Sequence, residues 1–262
     1  MNNEKVEQRL PFCLLSGKSA VVTGASRGIG RATAIRLAEA GANVIVNYLS
    51  SESEAEATAR ECRDYGVRSI AVQADVSRPE GADRLIKAAL DEFGGFDIVI
   101  ANAGIWEGDP VEEMTEERWD RVIDANLKGT WTVCKAAIPH FKSNGGGSIV
   151  IVSSTAGQRG EAGYSNYAAS KGGQIAFTKA LSNELAPSIR VNAVAPGWVD
   201  TGLNDDVFCD PAFVKRVVDG IPLKRVATAD DIALSIAFLA SDWSRHITGE
   251  ILNINGGAVL CG

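Results

Sequence analysis

Residues 23–30 have the sequence TGASRGIG, directly after the apolar run SAVV and directly before the helical pattern RATAIRLAEAG. Glycines at 24, 28 and 30 allow the chain to turn sharply out of a strand and to bring bare backbone against a pyrophosphate. A helix that begins at once points its free amide groups and the positive end of its dipole at the same anion. This stretch therefore predicts a strand, a glycine turn and a helix that together bind a dinucleotide.

The rest of the chain repeats this alternation of a short apolar run and a longer amphipathic stretch. Short, continuous apolar runs are typical of strands buried on both faces of a parallel sheet. We therefore predict an α/β fold, a single doubly wound (Rossmann) parallel sheet of about seven strands with helices on both faces. The predicted strands lie at 19–22, 43–48, 69–74, 97–101, 148–153, 189–194 and 251–254.

Three residue pairs predict helix starts of the capping-box type, in which a hydroxyl residue is followed three positions later by an acid. These pairs are Ser51 with Glu54, Ser77 with Glu80, and Thr228 with Asp231. Residues 1–15 carry no periodic pattern and are predicted to be an N-terminal tail, so residues 16–262 are expected to form one domain.

The composition narrows the class of partner. The 262 residues carry a net charge of −7 with no basic stripe, which argues against a nucleic-acid partner. No run approaches the roughly 20 apolar residues of a membrane span, and the start MNNEKVEQRL lacks the apolar segment of a signal peptide. The five cysteines, at 13, 62, 134, 209 and 261, have no metal-ligand spacing, and only two histidines are present. We therefore expect reduced thiols, no metal site and a cytoplasmic protein.

Ser154, Tyr167 and Lys171 form a second informative set, at the end of SIVIVSS and within NYAASK. If residues 165–185 are helical, the spacing of four puts Tyr167 and Lys171 on one face. The ammonium is expected to lower the pKa of the phenol from about 10 toward the working pH. Such a phenol can act as a general acid/base on a carbonyl or alcohol oxygen, to which Ser154 can also donate a hydrogen bond. The spacing alone is equally consistent with an ordinary surface pair.

Together these clusters resemble the short-chain dehydrogenase/reductase family. Its segments recur in order: TGASRGIG, ADV at 74–76, ANAG at 101–104, Asn126 in DANLKG, Ser154, YAASK, and PGWVDT at 196–201. The resemblance covers roughly residues 16–258 and implies Asn126, Ser154, Tyr167 and Lys171 as the catalytic residues. It also implies that Lys171 binds the nicotinamide ribose and that Asn126 anchors a water linking Lys171 to solvent.

The same resemblance implies how a nicotinamide dinucleotide is bound. Asp75 and Val76 would lie against the adenine, the NAG segment would pass close to the cofactor, and the loop at 196–201 would cover the nicotinamide. The full predicted cofactor-binding set is Thr23, Gly24, Ser26, Arg27, Gly28, Ile29, Gly30, Tyr48, Ser50, Asp75, Val76, Asn102, Ala103, Gly104, Tyr167, Lys171, Pro196, Gly197, Val199 and Thr201.

The end of the second strand favours NADP(H), with NAD(H) as the alternative. A site selective for NAD places a carboxylate there to bind the ribose 2′-hydroxyl, and that carboxylate repels a 2′-phosphate. Here the strand ends VNYL at 46–49, and the first acid is Glu52. Arg27 is placed to meet a 2′-phosphate, and Ser50 or Ser51 could donate hydrogen bonds to it. A solvated Arg27 at the start of a helix is the alternative interpretation.

We therefore expect an enzyme that interconverts a carbonyl and an alcohol of a small-molecule substrate by hydride transfer, with Tyr167 as general acid/base. YAASKGG, VNAVAPGWVDT and ITGEILNINGG are similar to segments of 3-oxoacyl-acyl-carrier-protein reductases. A sugar, steroid or other small-carbonyl reductase is the alternative, because 143–147 and 186–188 offer little basic charge for an acidic carrier protein. A serine hydrolase, suggested by GASRG at 24–28, and a non-catalytic dinucleotide sensor are two further alternatives.

Trp106 and Trp198 each follow a predicted cofactor loop and are expected to open toward the substrate, whereas Tyr164 is expected to line the cleft or to pack. The apolar stretches 127–138 and 172–181 would leave exposed helix faces in a monomer. With the family resemblance, they predict a homotetramer.

Overall fold

The computed structural model describes residues 12–202 and 208–261. The strands are β1 Ser19–Val22, β2 Asn43–Tyr48, β3 Ser69–Gln73, β4 Ile98–Ala101, β5 Gly147–Val152, β6 Ile189–Pro196, β7 Val199–Asp200, β8 Ala227–Thr228 and β9 Ile251–Ile254. The helices are α1 Gly28–Glu39, α2 Glu52–Arg63, α3 Pro79–Phe93, α4 Glu116–Ile123, α5 Gly129–Ser143, α6 Ala156–Arg159, α7 Ser165–Leu185, α8 Pro211–Gly220 and α9 Ala229–Ala240, with a π-helical turn at Asp124–Lys128.

Seven of the strands form one parallel sheet in the order β3-β2-β1-β4-β5-β6-β9, which confirms the predicted fold. From β1 the chain adds β2 and β3 on one side, and it then returns to add β4, β5, β6 and β9 on the other side of β1. β1 therefore pairs with β2 on one side and with β4 on the other, with Ala20 opposite Val44 and Ile98. At such a reversal the connections leave to opposite sides and open a crevice at the carboxyl ends of the strands.

The hydrophobic core lies on both faces of the sheet, as the continuous apolar strands predict. Alternate strand residues point to opposite faces, so Val22 packs with the layer that contains α1 and α9, whereas its neighbour Val21 packs with the layer that contains α3, α5 and α7. Ile236 of α9 and Phe141 of α5 represent these two layers, and both are fully buried.

Only one of the three predicted capping boxes forms. Thr228 accepts a hydrogen bond from the backbone of Asp231, whose side chain in turn accepts one from the Thr228 backbone. Ser51 precedes α2 but makes no side-chain cap. Ser77 is not the capping residue of α3, because its hydroxyl donates to the Asp75 carboxylate at 2.6 Å. The capping position is Arg78, and the helix begins at Pro79.

The last part of the predicted tail belongs to the packed part of the chain. Residues Phe12–Leu15 form a short 3-10 helix, and the Leu15 side chain is buried in the core. The Leu15 amide donates to the carbonyl of Ala40 at the end of α1. Residues 1–11 of the predicted tail lie outside the described residues.

None of the helices in the described residues is long and apolar enough to cross a membrane. Within the same residues, no group of three or more histidine, cysteine or acidic side chains is arranged to hold a metal ion.

Candidate active site

A cleft of about 710 Å³ opens along the carboxyl ends of the sheet strands, at the crevice between β1 and β4. Nineteen of the twenty predicted cofactor-binding residues line it. They are Gly24, Ser26, Arg27, Gly28, Ile29, Gly30, Tyr48, Ser50, Asp75, Val76, Asn102, Ala103, Gly104, Tyr167, Lys171, Pro196, Gly197, Val199 and Thr201. Ser154 lines the same cleft, so the structure brings the two sequence clusters together across about 125 residues of chain.

The glycine turn after β1 needs its glycines for two reasons. Gly24 and Gly28 have φ values of +61° and +57°, in the left-handed region that other residues rarely adopt. A Cβ on Gly30 would lie 2.2 Å from the carbonyl oxygen of Gly24, so only glycine lets the first turn of α1 fold back onto the loop. The result is bare backbone and unpaired first-turn amides at the floor of the cleft, an arrangement that fits a phosphate group.

Thr23 is the one residue of the predicted cofactor-binding set that does not line the cleft. Its hydroxyl accepts hydrogen bonds from the amides of Asn102 and Ala103, both at 2.9 Å, and donates to the carbonyl of Ile100. The Asn102 side chain donates in return to the carbonyls of Thr23 and Gly24. Thr23 therefore ties the glycine turn to the loop after β4 and shapes the cleft without facing it.

Asn47 holds the same region together and is absent from the predicted site. Its buried amide nitrogen donates to the carbonyls of Tyr48, Val72 and Ala74, and its amide oxygen accepts from the backbone of Gly24. The side chain therefore fixes the ends of β2 and β3 against the glycine turn. The sequence did contain a signal for this role, because Asn47 stands within the apolar run NVIVNY. A polar side chain in a buried strand needs hydrogen-bond partners.

The segment that follows β2 brings no carboxylate into the cleft wall, to which Arg27 contributes. Tyr48, Leu49, Ser50 and Ser51 line this part of the cleft, whereas Glu52 does not. Arg27 is exposed, and no ion pair of Arg27 is found in the described part of the chain.

Ser154, Tyr167 and Lys171 meet where α7 crosses the end of β5. Helix α7 has the bounds that the pairing of Tyr167 with Lys171 required, Ser165–Leu185. The buried Lys171 ammonium donates to the carbonyl of Val152 at 2.8 Å and lies 5.6 Å from the centre of the Tyr167 ring. Ser153, next to Ser154, donates its hydroxyl to the backbone carbonyl of Lys171, which locks the helix to the strand end. The Ser154 hydroxyl is hydrogen-bonded to Tyr167.

The expected lowering of the Tyr167 pKa is wrong for the chain by itself. Burial raises the pKa of Tyr167 to about 12, although the hydrogen bond from Ser154 opposes this shift. Burial also lowers the pKa of Lys171 to about 7, so near neutral pH the lysine is only partly charged. The cost of removing both groups from water therefore exceeds their mutual attraction, and Tyr167 is a neutral phenol at neutral pH.

Asn126 is fully buried and does not line the cleft. Its side-chain oxygen accepts from the amide of Ile105, and its nitrogen donates to the carbonyl of Ile105 and to Ser170 on α7. Its backbone carbonyl accepts from Thr130 and Gln174. In the structure Asn126 therefore fixes the loop after β4 against α7, and the described hydrogen bonds do not connect it directly to Lys171.

Trp106 and Trp198 both line the cleft, as expected. The Trp106 ring stacks on Tyr164 with centroids 4.3 Å apart and an interplanar angle of 10°. It meets Trp198 edge to face at 6.0 Å. Tyr164 itself packs behind Trp106 and does not line the cleft, which decides between its two predicted roles.

The structure does not supply a hydrolase triad around Ser26. That residue lies at the carboxyl edge of the sheet, where it lines the cleft. His140 lies at the opposite edge, where its ring nitrogen is 3.1 Å from the backbone of Phe96, just before β4. His246 precedes β9, which runs parallel to β6, and is likewise at the amino edge. Neither histidine can serve Ser26 as a base.

The residues present fit a nicotinamide dinucleotide. The cleft runs from Arg27 and Ser50 at one end, past the glycine turn, to Tyr167 and Lys171 at the other. Backbone amides and glycines stand where a pyrophosphate needs close approach, and proton-carrying side chains stand beyond them.

Comparison with known proteins gives matches along nearly the whole chain. A family profile described as enoyl-(acyl carrier protein) reductase matches residues 24–259. The chain is 42% identical to the 3-oxoacyl-[acyl-carrier-protein] reductase FabG of Staphylococcus epidermidis over 93% of its own length and 99% of that protein. It is also 42% identical to 3beta-hydroxysteroid dehydrogenase 1 of Eggerthella lenta, over 94% of this chain and 95% of the relative.

Among solved structures, a short-chain alcohol dehydrogenase from Sinorhizobium meliloti superposes with a TM-score of 0.91 at 36% identity, covering 95% of this chain and 98% of that one. A short-chain dehydrogenase/reductase of the glucose/ribitol dehydrogenase type from Brucella melitensis gives a TM-score of 0.88 at 35% identity, covering 95% of this chain and 99% of that one.

Proposed function

The chain belongs to the short-chain dehydrogenase/reductase family, and from this premise we propose that it is an NADP(H)-preferring reductase in which Tyr167 protonates the oxygen of a carbonyl substrate. Membership makes the protein an oxidoreductase that uses a nicotinamide cofactor and acts on a carbonyl group. The observation that carries the proposed mechanism is the meeting of Ser154, Tyr167 and Lys171 at the inner end of the cleft.

The chain's own residues supply the positioning and the proton. A nicotinamide held by the cleft residues would supply the hydride for the carbonyl carbon. The Tyr167 hydroxyl donates its proton to the carbonyl oxygen, and the Ser154 hydroxyl donates a hydrogen bond to that oxygen and orients it. The raised pKa of Tyr167, about 12, suits this direction, because the phenol keeps its proton at neutral pH. Lys171, held by the Val152 carbonyl, is proposed to bind the nicotinamide ribose.

Asn126 enters this proposal as a positioning residue. Its hydrogen bonds to Ile105 and Ser170 hold the loop after β4 against the helix that carries Tyr167 and Lys171. Because a Cβ on Gly104 would lie 2.9 Å from the Asn126 side-chain oxygen, the loop can approach this closely only with glycine at 104. Asn126 would then act on catalysis through the geometry of the cleft.

The preference for NADP(H) over NAD(H) rests on charge at the end of β2. A ribose 2′-phosphate placed there would meet Arg27 and the hydroxyls of Ser50 and Ser51. Glu52, the first acid after β2, does not line the cleft and is instead hydrogen-bonded to Tyr48, so the segment after β2 brings no carboxylate into the cleft wall to repel the phosphate.

For the substrate, we propose first a 3-oxoacyl thioester on an acyl carrier protein, because the FabG of Staphylococcus epidermidis is named for that activity and is 42% identical over nearly its full length. The similarity to 3beta-hydroxysteroid dehydrogenase 1, together with the tryptophans at the cleft, supports a second candidate, a carbonyl on a ring system. We further propose a homotetramer and a cytoplasmic location, the latter because the buried Cys62 and Cys134 are free thiols.

A substrate panel tests the proposed function. The purified protein is mixed with NADPH or NADH and with a 3-oxoacyl thioester, a linear ketone, a sugar aldehyde or an aryl ketone, and the loss of reduced-cofactor absorbance is followed. Reduction of at least one carbonyl, faster with NADPH and abolished in Tyr167→Phe, is the expected result. Turnover in Tyr167→Phe within a few-fold of the parent would contradict the assignment of the proton donor.

A further inference from the structure

We propose that the substrate end of the cleft is built for a flat, uncharged ring system attached to the reacting carbonyl, and that Trp106 and Trp198 select it by stacking. This inference rests on the proposed carbonyl reduction and favours the second candidate substrate, a carbonyl on a ring system, over the 3-oxoacyl thioester. The two tryptophans belong to different loops, one after β4 and one after β6, and both line the cleft that contains Ser154 and Tyr167.

The two rings form a corner. Their planes make an angle of 85° with centroids 6.0 Å apart, so a flat substrate ring parallel to one tryptophan lies at nearly a right angle to the other. These are the two arrangements that aromatic rings prefer, because each places a positive ring edge against a negative ring face. A linear acyl chain gains contact area from the same walls but none of this directional attraction.

The corner is held in place from behind. Trp106 is stacked on Tyr164, and Trp198 contacts Phe213 edge to face at 5.4 Å. The loop that carries Trp106 approaches the 163–164 segment closely at Gly108, where a Cβ would lie 2.2 Å from the carbonyl oxygen of Gly163. A preorganised ring surface of this kind costs little ordering entropy when a ligand binds.

Core packing does not account for these aromatic side chains. Trp106, Tyr164 and Trp198 all remain partly exposed. Helix α8, which supplies Phe213, contains no buried residue at all. A partly exposed aromatic cluster at the mouth of a reaction cleft is the kind of apolar surface that marks a ligand contact.

The charges near the corner argue for a neutral substrate. Arg159 is paired with Glu161 at 2.6 Å, Arg121 with Glu107, and Asp124 with Lys128 at 3.2 Å. The cleft lining at this end holds two arginines and three carboxylates, so it presents no surplus positive charge. A substrate that carries a phosphate group inside the cleft would find its usual cationic partners already engaged.

The experiment compares an aryl methyl ketone with its ring-saturated cyclohexyl analogue, using NADPH and following reduced-cofactor absorbance. The two ketones share their carbon skeleton and reacting group, but only the first has a flat ring. Their ratio of kcat/KM is measured in the parent, in Trp106→Leu, in Trp198→Leu and in Trp106→Phe. The intrinsic reactivity of each ketone is the same in every variant. A change in this ratio therefore measures the contact between the substrate ring and the substituted tryptophan. Trp243→Leu is the control, since Trp243 is exposed and does not line the cleft.

We expect each leucine variant to lower the aryl-to-cyclohexyl ratio about two- to tenfold, the worth of one aromatic pair. Trp106→Phe keeps a ring and should retain most of the ratio, and Trp243→Leu should leave it unchanged. A ratio that is the same in the parent and in both leucine variants would overturn the inference while leaving carbonyl reduction intact. Reduction of a linear 3-oxoacyl thioester with neither ketone turned over would also overturn it, whereas a parent that reduces no carbonyl at all would refute the proposed function itself.

Discussion

At the scale of single residues, the proposed chemistry depends on one hydroxyl, that of Tyr167. We expect Tyr167→Phe to lower kcat by about 10²- to 10⁴-fold, the usual contribution of a general acid/base, because phenylalanine keeps the ring packing and loses only the proton donor. Binding of NADPH, measured by fluorescence or calorimetry, should stay within a few-fold of the parent. Tyr164→Phe is the matched control, since its side chain lies behind Trp106 and outside the cleft lining. Comparable losses in both variants would point to a structural effect.

The pKa of Tyr167 also predicts how the two directions of the reaction depend on pH. Burial places this pKa at about 12, so the phenol that donates the proton during reduction persists as pH rises, and kcat/KM for reduction should stay nearly flat up to about pH 10. Alcohol oxidation needs the phenolate, so its kcat/KM should rise about tenfold per pH unit below that pKa. Initial rates in both directions between about pH 7 and 10 test this. A reduction rate that falls with a midpoint near pH 8 would mean that Tyr167 ionises much earlier than its surroundings indicate.

Arg27 decides the proposed cofactor preference. Loss of a charge-assisted hydrogen bond to a 2′-phosphate should lower kcat/KM for NADPH about 10- to 100-fold in Arg27→Ala, with NADH affected far less. Arg31→Ala is a suitable control, because Arg31 is also near the start of α1 but pairs with Glu61. A parent that prefers NADH, or an NADPH/NADH ratio that Arg27→Ala leaves unchanged, would show that the 2′-phosphate is not bound there.

At the scale of elements, the helix starts offer an internal comparison. Thr228 forms a complete capping box at α9, whereas Ser51 precedes α2 without any side-chain hydrogen bond. We therefore expect Thr228→Ala to cost about 1 kcal/mol, or about 2–4 °C in Tm, and Ser51→Ala to cost almost nothing. Both Tm values are measured by scanning fluorimetry at one protein concentration, because any assembly makes Tm concentration-dependent. Equal shifts would show that capping does not distinguish the two helices.

The same comparison shows what the sequence could and could not predict. Strand positions followed from apolar runs, because a strand covered on both faces excludes polar residues almost throughout. The three capping pairs have the same pattern, but only the folded backbone decides where a helix begins. The Ser77 hydroxyl bonds to the nearby Asp75 carboxylate and not to a backbone amide at the start of α3, and residue spacing does not reveal this competition.

The site residues divide in the same way. The glycines of the turn at 24–30 and Lys171 could be placed in the cleft from the sequence, because their chemistry is tied to the spacing of the residues. The packing contacts of Thr23, Asn47 and Asn126 could not be predicted, because each holds together segments that are distant in sequence, and the predicted water anchored by Asn126 stays a prediction. The direction of the Tyr167 pKa shift depends on burial of both partners, and burial is a property of the packed helix and strand ends.

At the scale of the whole molecule, the strand order of the parallel sheet brings the cleft-lining loops together. Strand β1 lies between β2 and β4, so the glycine turn, the NAG segment and the pair Asp75 and Val76 converge at one edge of the sheet. Half-buried Arg36 of α1 ties together the helices on one face of the sheet through an ion pair with Asp230 at the start of α9. The predicted cofactor-binding residues and the proposed proton donor thus lie on one sheet.

The remaining surface predicts assembly. Most of the apolar stretch 127–138 is used internally, since Val133, Cys134 and Ala137 are buried in the core. Trp131 is the exception: it is 41% exposed on α5, and Trp119 on the neighbouring α4 is 38% exposed. Because these helices lead into and follow the turn that holds Asn126, contact between subunits there would brace the cleft.

We expect the parent to elute as a homotetramer with a light-scattering mass four times that of the chain. Trp131→Glu should shift it to a smaller species, because burying a carboxylate in an apolar interface costs several kcal/mol. Trp131→Phe keeps an apolar ring there and should preserve the tetramer. If assembly braces Asn126, the glutamate variant should also lose kcat, with its circular dichroism spectrum unchanged. A parent that is monomeric and fully active would contradict both the tetramer and the bracing, and the exposed tryptophans would then need another partner.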